Sequence, residues 1–304
     1  MDAPAPAGRL TLAPPVAPAA PVATIAFRHL TALWVQVTGT LCNLQCTHCI
    51  NASGPREPWL APMEAETVRR HVVEAAALGV KEIYFTGGEP FLHAEILPLL
   101  AFALERAPTT VLTNGTLIDD AAAGALAALA AGARYSLEIR VSLDDPDAAR
   151  NDVVRGPGAF RRALGAIRRL EARGLLPILT ATELDRPGAA RGEDRYARLR
   201  DLLLASGIRK PRVKLLPVFP VGRMAGRGGG VVTPEMLAAV EPSRLQCSES
   251  RAVATGGVYV CPILSGFPAG RMAGATLGET LGPSRLDHPA CLVCWQTGSS
   301  CRNA

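Results

Sequence analysis

Short apolar segments alternate with longer amphipathic or Ala/Leu-rich segments over the first two thirds of the chain. The short segments predict β-strands at 32–38, 82–86, 109–113, 136–142, 176–182 and 212–217. The longer segments predict α-helices at about 62–79, 91–106, 118–132, 158–173 and 193–206. Strands that alternate with helices of this length predict a parallel sheet. The pattern alone leaves open whether that sheet is doubly wound or closed into a barrel.

The distribution of residue types predicts two units after an N-terminal tail. Residues 1–29 are rich in Ala and Pro, which predicts a flexible tail. Residues 222–230 are rich in Gly and predict a linker. At 304 residues the chain is long enough for a large domain at 30–221 and a smaller unit at 231–304.

Charge and hydropathy exclude several classes of partner. No apolar run approaches the ~18 residues needed to span a bilayer, and the N-terminus lacks the basic and apolar regions of a signal peptide. We therefore expect a cytoplasmic protein with reduced thiols and no membrane partner. The net charge of +5 comes mainly from dispersed arginines, as in Arg161-Arg162 and Arg168-Arg169. This pattern is typical of solvated helix faces and argues against a nucleic-acid partner.

Three cysteines occur close together after the first predicted strand: Cys42, Cys46 and Cys49. Their spacing of three and then two residues fits one face of a cubane iron–sulfur cluster. Such clusters normally have four cysteine ligands, so three imply an iron left open for another molecule. A zinc knuckle is the alternative, but zinc favours paired C-x₂-C units and a fourth ligand. A disulfide would leave one of the three cysteines without a partner, so the cluster is favoured.

A glycine turn follows the second predicted strand at Gly87-Gly88, before Glu89 and Pro90. Two glycines let the backbone approach a ligand closely and take conformations closed to other residues. Carbonyl groups of such a turn can accept hydrogen bonds from an ammonium group.

Together these motifs resemble those of the radical S-adenosylmethionine (SAM) enzymes. The resemblance implies an α/β fold, a partial (β/α)₆ barrel whose site lies at the C-terminal ends of the strands. It implies a 4Fe-4S cluster on Cys42, Cys46 and Cys49 whose open iron binds SAM. Cleavage of SAM then gives methionine and a 5′-deoxyadenosyl radical. The residues that the family motif places at the SAM amino group are Gly87, Gly88 and Glu89.

The fourth predicted strand supplies further elements of that resemblance. Side chains alternate across a strand, so one face carries Ser136, Glu138, Arg140 and Ser142, and the other Leu137, Ile139 and Val141. We expect the apolar face to pack on the helices and the polar face to line the barrel. Glu138 and Arg140 either form a buried ion pair or contact substrate.

In the peptide-modifying subgroup, the residue matching Ser142 contacts the SAM ribose and the one matching Arg155 holds the SAM carboxylate. Asp145 stands where that subgroup usually has glycine, so we expect a different local turn. His48 stands where many relatives have an aromatic residue beside the adenine; it stacks there or caps the cluster loop.

Five further cysteines lie near the C-terminus: Cys247, Cys261, Cys291, Cys294 and Cys301. Their arrangement resembles the auxiliary cluster domains called SPASM or, when shortened, twitch. It departs from the full pattern in two cysteine spacings and lacks the last cysteines. Five thiols imply one auxiliary 4Fe-4S cluster, most simply on the first four. Cys301 is then spare, an alternative ligand or part of a second site, and a structural zinc is the alternative.

The resemblance implies a SAM-dependent oxidoreductase that removes a substrate hydrogen atom, with the auxiliary cluster accepting the remaining electron. Oxidation or cross-linking of a peptide or protein is the first hypothesis, and the same chemistry on a small metabolite is the alternative. A non-catalytic iron–sulfur carrier is the third. About 30 residues precede the barrel, so a peptide substrate would need a separate recognition protein. A low-potential electron donor such as flavodoxin or ferredoxin is also expected.

Overall fold

An eight-stranded sheet forms the centre of the protein. The computed structural model describes residues 21–56, 58–184 and 192–298. The strands are β1 Thr24–Ile25, β2 Ala32–Gln36, β3 Glu82–Thr86, β4 Thr109–Thr113, β5 Leu137–Ser142, β6 Ile178–Thr182, β7 Arg212–Leu216, β8 Ser250–Ala254, β9 Gly257–Tyr259 and β10 Ser284–Arg285. The helices are α1 Ala65–Ala77, α2 Ile96–Leu104, α3 Asp120–Gly132, α4 Ala148–Arg155, α5 Ala159–Glu171, α6 Gly192–Ala205, α7 Pro234–Ala238 and α8 Pro289–Thr297.

Strands β2 to β7 follow one another in chain order, and each neighbouring pair is parallel. A doubly wound sheet reverses its strand order at a switch point, and the order from β2 to β7 does not. Each of these strands supplies at least one residue to a single cavity, among them Trp34, Thr86, Leu112, Arg140, Thr182 and Leu216. The sheet therefore curves around an interior space, in agreement with a partial barrel.

The outer face of the sheet carries the main hydrophobic core. In β5, Ile139 and Val141 pack into this core with residues of the surrounding helices, whereas Arg140 lines the cavity. The predicted division of β5 into an apolar and a polar face is thus confirmed. Full burial of one large apolar side chain contributes about 1.5–3 kcal/mol, so this face fixes the position of every strand that supplies the cavity.

Two local elements differ from the sequence pattern. Helix α2 begins at Ile96, because Pro90–Leu92 forms a separate 3₁₀ turn whose first amide is capped by Glu89. Helix α4 was not predicted; its N-cap is Asp147, which accepts a hydrogen bond from the Arg150 amide. Among the described helices, none is long and apolar enough to cross a membrane.

The expected smaller unit is not separate from the barrel sheet. Strand β8 pairs in parallel with β2, from Ala32 opposite Ser250 to Val35 opposite Val253, and β9 pairs with β8 in antiparallel fashion. The expected boundary at residue 231 therefore does not divide the sheet, because backbone hydrogen bonds join the two regions. Sequence patterns carry no record of such a long-range pairing.

The tail expected at 1–29 does not extend to residue 29. Residues 1–20 lie outside the described part of the chain. Strand β1 pairs with β10, and Ile25 is buried with Val232, Leu245 and Leu286. The tail prediction is therefore wrong from residue 23 onward, since a two-residue strand is too short to be seen in an Ala/Pro-rich sequence.

The expected linker at 222–230 is wrong at its first residues. Gly222–Met224 forms a 3₁₀ turn in which Met224 is buried. A Cβ on Gly222 would lie 2.3 Å from the Ile50 carbonyl oxygen, so this turn packs directly against the cysteine loop. Only residues 225–230 are exposed, as expected of a linker.

Candidate active site

A cavity of about 1170 Å³ opens at the C-terminal ends of the parallel strands. Of the residues predicted from the sequence, it is lined by Cys42, Cys46, Cys49, Gly87, Gly88, Ser142 and Arg155. His48 and Arg140 also line it. The structure therefore brings together motifs that are up to about a hundred residues apart in the chain.

The cysteine loop gives its sulfur atoms backbone hydrogen bonds. The Leu44 amide donates to Cys42 Sγ at 3.4 Å, and the Ser53 amide donates to Cys49 Sγ at 3.3 Å. Burial raises the pKa of the Cys42 thiol to about 12, and burial also raises the pKa of Cys46. A raised pKa means that ionising the buried thiol costs free energy, and ligation of the thiolate by a metal offsets that cost. Amide donors also stabilise sulfur atoms that carry negative charge. The three residues therefore fit an iron–sulfur cluster facing the cavity.

Arg223 holds this loop in place. Its Nη1 donates to the Cys46 carbonyl at 2.8 Å, and its Nη2 donates to the carbonyls of Ala52 at 3.0 Å and Ser53 at 2.6 Å. The Arg223 amide also donates to the Cys49 carbonyl at 3.0 Å. A loop without regular secondary structure thus has its carbonyls satisfied by one planar guanidinium. No local signal in the sequence indicated this role, because Arg223 lies in the expected linker.

The Gly87-Gly88 turn packs against the same loop. Gly87 has φ of 134°, and a Cβ on Gly88 would lie 2.0 Å from the Leu41 carbonyl oxygen. The Glu89 amide donates to that oxygen at 2.9 Å. Glycine is therefore required for the turn to reach both the cysteine loop and the cavity.

Glu89 lies behind the cavity and does not line it. Its carboxylate accepts hydrogen bonds from the Thr113 hydroxyl at 2.7 Å, the Asn114 amide at 2.7 Å and the Phe91 amide at 3.1 Å. Burial raises the pKa of Glu89 to about 7, and these hydrogen bonds act in the opposite direction. The side chain therefore ties the end of β3 to the end of β4.

Arg155 forms a buried ion pair with Asp144. Arg155 Nε lies 2.7 Å from Asp144 Oδ2, and Nη2 donates to Oδ1 at 3.1 Å. His48 Nε2 lies 2.8 Å from Asp144 Oδ2, and the Thr182 amide donates to Oδ1 at 2.8 Å. Burial opposes ionisation of Asp144, but Arg155 and His48 hold the pKa of its carboxyl well below the usual range. Asp144 thus orients His48 and Arg155 at the cavity wall.

Sequence analysis missed this role of Asp144, although its position two residues after Ser142 was a usable signal. His48 contacts Asp144, which neither expectation for that residue included. Asp145, at the expected glycine position, accepts hydrogen bonds from the Asp147 amide at 2.9 Å and from Arg150 Nε at 3.1 Å. The local turn therefore leads into α4.

Arg140 is both a wall residue and a member of an ion pair. It is 1% exposed, lies 3.3 Å from Glu138 through Nε, and lines the cavity. Its guanidinium lies 5.4 Å from the centre of the Tyr84 ring, which stacks on Trp34 at 4.0 Å. The expected buried ion pair is present.

A second cavity, of about 430 Å³, is lined by Cys247, Cys261, Cys291 and Cys294. Its other lining residues are mostly apolar. Burial raises the pKa of Cys291 to about 12 and raises that of Cys247 as well. Four thiols from three segments, two of them on α8, surround one space and fit the four-cysteine ligand set of a cluster. No three Cys, His, Asp or Glu side chains in the described part of the chain lie close enough to hold a single metal ion. Cys301 lies outside the described residues.

The two cysteine-lined cavities are neighbours. Ile263 lines both, and Cys261 lies two residues before it on the wall of the smaller cavity. The two spaces therefore share Ile263 as a wall residue.

Comparison with known proteins shows which family and which proteins this chain is similar to. The profile of the radical SAM superfamily matches residues 37–183. The AdoMet-dependent heme synthase of Nitratidesulfovibrio vulgaris is 32% identical over 136 residues, which are 44% of this chain and 35% of the relative. The PqqA peptide cyclase of Granulibacter bethesdensis is 36% identical over 138 residues, which are 44% of this chain and 35% of the relative. The matches therefore span about a third of each of these curated relatives.

A solved structure shows the same fold over a longer segment. Streptococcus suis SuiB, solved with the precursor peptide SuiA, has a TM-score of 0.59 and 17% sequence identity. The likeness covers 79% of this chain and 61% of SuiB. The matched segment of this chain, residues 37–183, contains the cysteine loop, the Gly-Gly turn, Ser142 and Arg155. Residues 37–183 of this chain are therefore similar to the radical SAM superfamily.

Proposed function

We propose that this chain is a radical SAM enzyme that oxidises or cross-links a peptide or protein substrate. Cys42, Cys46 and Cys49 would hold a 4Fe-4S cluster at the wall of the large cavity, and SAM would bind inside it. When bound, the cluster and SAM supply one-electron cleavage to methionine and a 5′-deoxyadenosyl radical, which removes a hydrogen atom from the substrate. The protein's own task is to position SAM, to position the substrate and to exclude water.

The cavity wall supports specific roles in binding SAM. Gly87 and Gly88 present backbone without side chains, and Ser142 presents a hydroxyl group. Arg155 presents a guanidinium whose orientation is fixed by Asp144, which reduces the entropy lost when it binds an anion. Glu89 acts from behind, because its carboxylate fixes the strand ends on which this wall depends.

The shared wall at Ile263 is the observation that carries the oxidative assignment. An auxiliary 4Fe-4S cluster on Cys247, Cys261, Cys291 and Cys294 would lie next to the substrate space. It could then take the electron that remains after hydrogen removal, which gives a net two-electron oxidation. The role of Cys301 would be that of a spare thiol or an alternative ligand.

A peptide substrate is favoured over a small metabolite for two reasons. The PqqA peptide cyclase is 36% identical to this chain over 138 residues. SuiB, solved with a precursor peptide, shares the fold over most of this chain. Because the chain is also similar to a heme synthase, a small-molecule substrate is the alternative.

The proposal includes partners and a location. A low-potential donor such as flavodoxin or ferredoxin would reduce the cluster, and a separate recognition protein would present a peptide. Reduced thiols for two clusters require a reducing compartment, which supports the cytoplasm. A non-catalytic carrier is disfavoured, because a carrier does not need a cavity beside its cluster.

Anaerobic reconstitution tests the proposal. The wild type should bind about eight irons as two cubane clusters and should form 5′-deoxyadenosine from SAM with dithionite. The Cys42→Ala, Cys46→Ala, Cys49→Ala triple variant should keep about four irons and form none. Cys301→Ala is the matched control for SAM cleavage. About four irons and one zinc in the wild type would refute the auxiliary cluster alone, whereas SAM cleavage by the triple variant would refute the whole proposal.

The substrate class is tested by mass spectrometry. A peptide encoded next to this gene should lose two hydrogen atoms in mass on incubation with the reduced enzyme and SAM. Unchanged peptide, together with oxidation of a small metabolite from a cell extract, would establish the alternative.

A further inference from the structure

A basic groove lies on the outside of the barrel, next to the cysteine loop. It has a volume of about 970 Å³ and runs between residues 115–119 and helix α5. Its charged lining residues are Arg161, Arg162, Arg168, Arg169 and Asp119. We call it the arginine groove. The sequence pattern had assigned these arginines to a solvated helix face.

Both walls of the arginine groove contact the cysteine loop. On one side Ala159, the first residue of α5, is buried in a small cluster with Cys42, Leu44 and Cys46. Arg161 follows two residues later, a rise of about 3 Å along the helix but on a different face of it. Helix α5, which forms one wall of the groove, therefore begins against two of the three cysteines.

On the other side the contact is polar. Asn43, between Cys42 and Leu44, donates through Nδ2 to the Thr116 hydroxyl at 2.8 Å. Its Oδ1 accepts a hydrogen bond from Asn114 Nδ2 at 2.8 Å. Thr116 belongs to the opposite wall of the groove. The exposed Asn43 of the cysteine loop is therefore hydrogen-bonded to one wall of the groove.

Only one of the four arginines forms an ion pair within the described residues. Arg169 contacts Asp120, and Arg162 donates to the Pro157 carbonyl. Arg161 and Arg168 are exposed and form no ion pair there. They are seven residues apart, so they lie on the same side of α5 about two turns apart. Asp119, the one acidic lining residue, has its carboxylate occupied by the Ala122 amide at 2.8 Å.

We propose that the arginine groove is the docking surface for an acidic one-electron carrier protein that reduces the cluster on Cys42, Cys46 and Cys49. This inference rests on the proposed function. One electron leaves the fully reduced carrier, which becomes oxidised by one electron, and the cluster is reduced by one electron. That electron then passes to SAM. Flavodoxins and ferredoxins carry a negative surface, which complements the two unpaired arginines.

The position of the groove favours a carrier over an acidic peptide substrate. The groove and the large cavity share no lining residue. A substrate must enter the cavity to react, whereas an electron carrier needs only to come close to the cluster. The groove gives closeness to the cluster without access to the cavity, and this is what a carrier requires.

Charge reversal tests the docking surface in the holoenzyme. The variant is Arg161→Glu with Arg168→Glu, which removes no ion pair within the described residues. The matched control is Arg134→Glu with Lys210→Glu, which makes the same change of charge. Both control residues are exposed and stand just before β5 and β7, at the opposite end of the barrel. The probe is a bacterial flavodoxin, with binding of its oxidised form measured by calorimetry and cluster reduction by its fully reduced form measured by stopped flow.

At low salt the groove variant should bind flavodoxin about tenfold more weakly or worse and be reduced about tenfold more slowly, because electrostatic steering accounts for at least that factor. The control pair should stay near the wild type, and reduction by dithionite, which needs no docking surface, should be unchanged in both. Added salt should reduce the difference between wild type and groove variant.

If flavodoxin binding and cluster reduction are equal in the groove and control variants, whether both are unchanged or both are weakened, the proposed docking surface is refuted. A changed peptide-binding affinity with unchanged flavodoxin kinetics would do the same and would assign the groove to substrate. If the groove variant loses its cluster, Arg161→Gln with Arg168→Gln is measured against Arg134→Gln with Lys210→Gln under the same criteria. Failure of the wild type to cleave SAM with dithionite would refute the proposed function instead, since flavodoxin binding is measured independently of it.

Discussion

Cys42, Cys46 and Cys49 come from one eight-residue loop, whereas Cys247, Cys261 and the pair Cys291 and Cys294 come from three segments of the C-terminal region. The first set faces a cavity of about 1170 Å³ that also has Arg155, Ser142 and His48 on its wall. The second surrounds a pocket of about 430 Å³ whose other lining residues are mostly apolar. The two sets thus differ in number, in available space and in the polarity of their surroundings.

This contrast supports a division of roles. A cluster with three cysteine ligands beside a large polar cavity has space for a further ligand on its open iron. A cluster with four cysteine ligands in a small apolar pocket has its irons fully ligated and would serve as an electron acceptor. Under the proposed function, an iron–sulfur cluster would serve two tasks that differ with the number of thiols and the space next to them.

Removing the second cysteine set should produce the largest effect on product and should separate the two roles. Cys261→Ala with Cys291→Ala should keep reductive cleavage of SAM but abolish formation of the oxidised product. Liquid chromatography of 5′-deoxyadenosine and mass spectrometry of the substrate measure the two outcomes. Cluster binding is coupled to folding in small metal sites, so circular dichroism and SAM binding must match the wild type.

A folded variant that makes product at the normal rate would show that the second cysteine set is structural. The net-oxidation assignment would then be lost, while the SAM-cleaving role of the first set would stand. Cys301→Ala controls for the general effect of removing a C-terminal thiol.

Gly88→Ala should damage the first site alone. The new Cβ would lie 2.0 Å from the Leu41 carbonyl oxygen and 2.9 Å from Cys42 Cβ, so the turn and the cysteine loop cannot keep their present separation. A displacement of this kind costs on the order of 100-fold in rate. We expect that loss in SAM cleavage under dithionite with about eight irons still bound, since no thiol ligand is removed. Gly132→Ala, which meets nothing within 4 Å, is the control. SAM cleavage that is equal in the two variants would refute the close packing of turn and loop.

Arg155→Ala should weaken SAM binding by about 1.5–3 kcal/mol, because a charge-assisted contact to the SAM carboxylate is lost. It also leaves Asp144 buried without its arginine partner, and breaking such a pair costs about 3–5 kcal/mol of folding stability. The double variant Asp144→Asn with Arg155→Ala distinguishes the two effects. Stability should recover in the double variant, and SAM affinity measured by calorimetry should not. Recovery of both would show that Arg155 serves the fold and does not contact SAM.

Glu89→Gln should give the smallest effect, one that depends on pH. Because burial raises the pKa of Glu89 to about 7 in the folded protein, against an ordinary value of 4.5, its stabilising contribution is complete below about pH 4.5 and is lost as pH rises through 7. The free energy of unfolding of the wild type relative to the Glu89→Gln variant should therefore fall by about 1 kcal/mol between about pH 6 and about pH 8. Urea denaturation measures it, with Glu105→Gln at an exposed helix end as control. A pH-independent difference would contradict the elevated pKa.

The regular elements near the site could be predicted from local sequence. Strands β2 to β7 form where the sequence has short apolar segments. The face of β5 that carries Arg140 and Ser142 lines the cavity, as the alternation of its side chains predicts. Such patterns are readable because side-chain direction in a strand depends on neighbouring residues only. The cysteine spacing and the Gly-Gly turn are local in the same sense.

The contacts that hold the site together could not be predicted from local sequence. Asp144 holds His48 and Arg155, which lie 96 and 11 residues from it, and Arg223 holds a loop more than 170 residues earlier. Each partner taken alone is an ordinary polar residue. Only the folded chain shows that their charges and hydrogen bonds are satisfied by one another.

The sequence by itself determined the alternation of strands and helices, the three-cysteine loop and the glycine turn, because each depends on residues close together in the chain. The tertiary structure decided that β8 joins β2, that β1 pairs with β10, and that cysteines from three distant segments surround one pocket. It also decided that Ile263 lines both cavities and that α5 places an arginine groove next to the cysteine loop. These features depend on which distant surfaces bury one another, and that is set by packing of the whole chain.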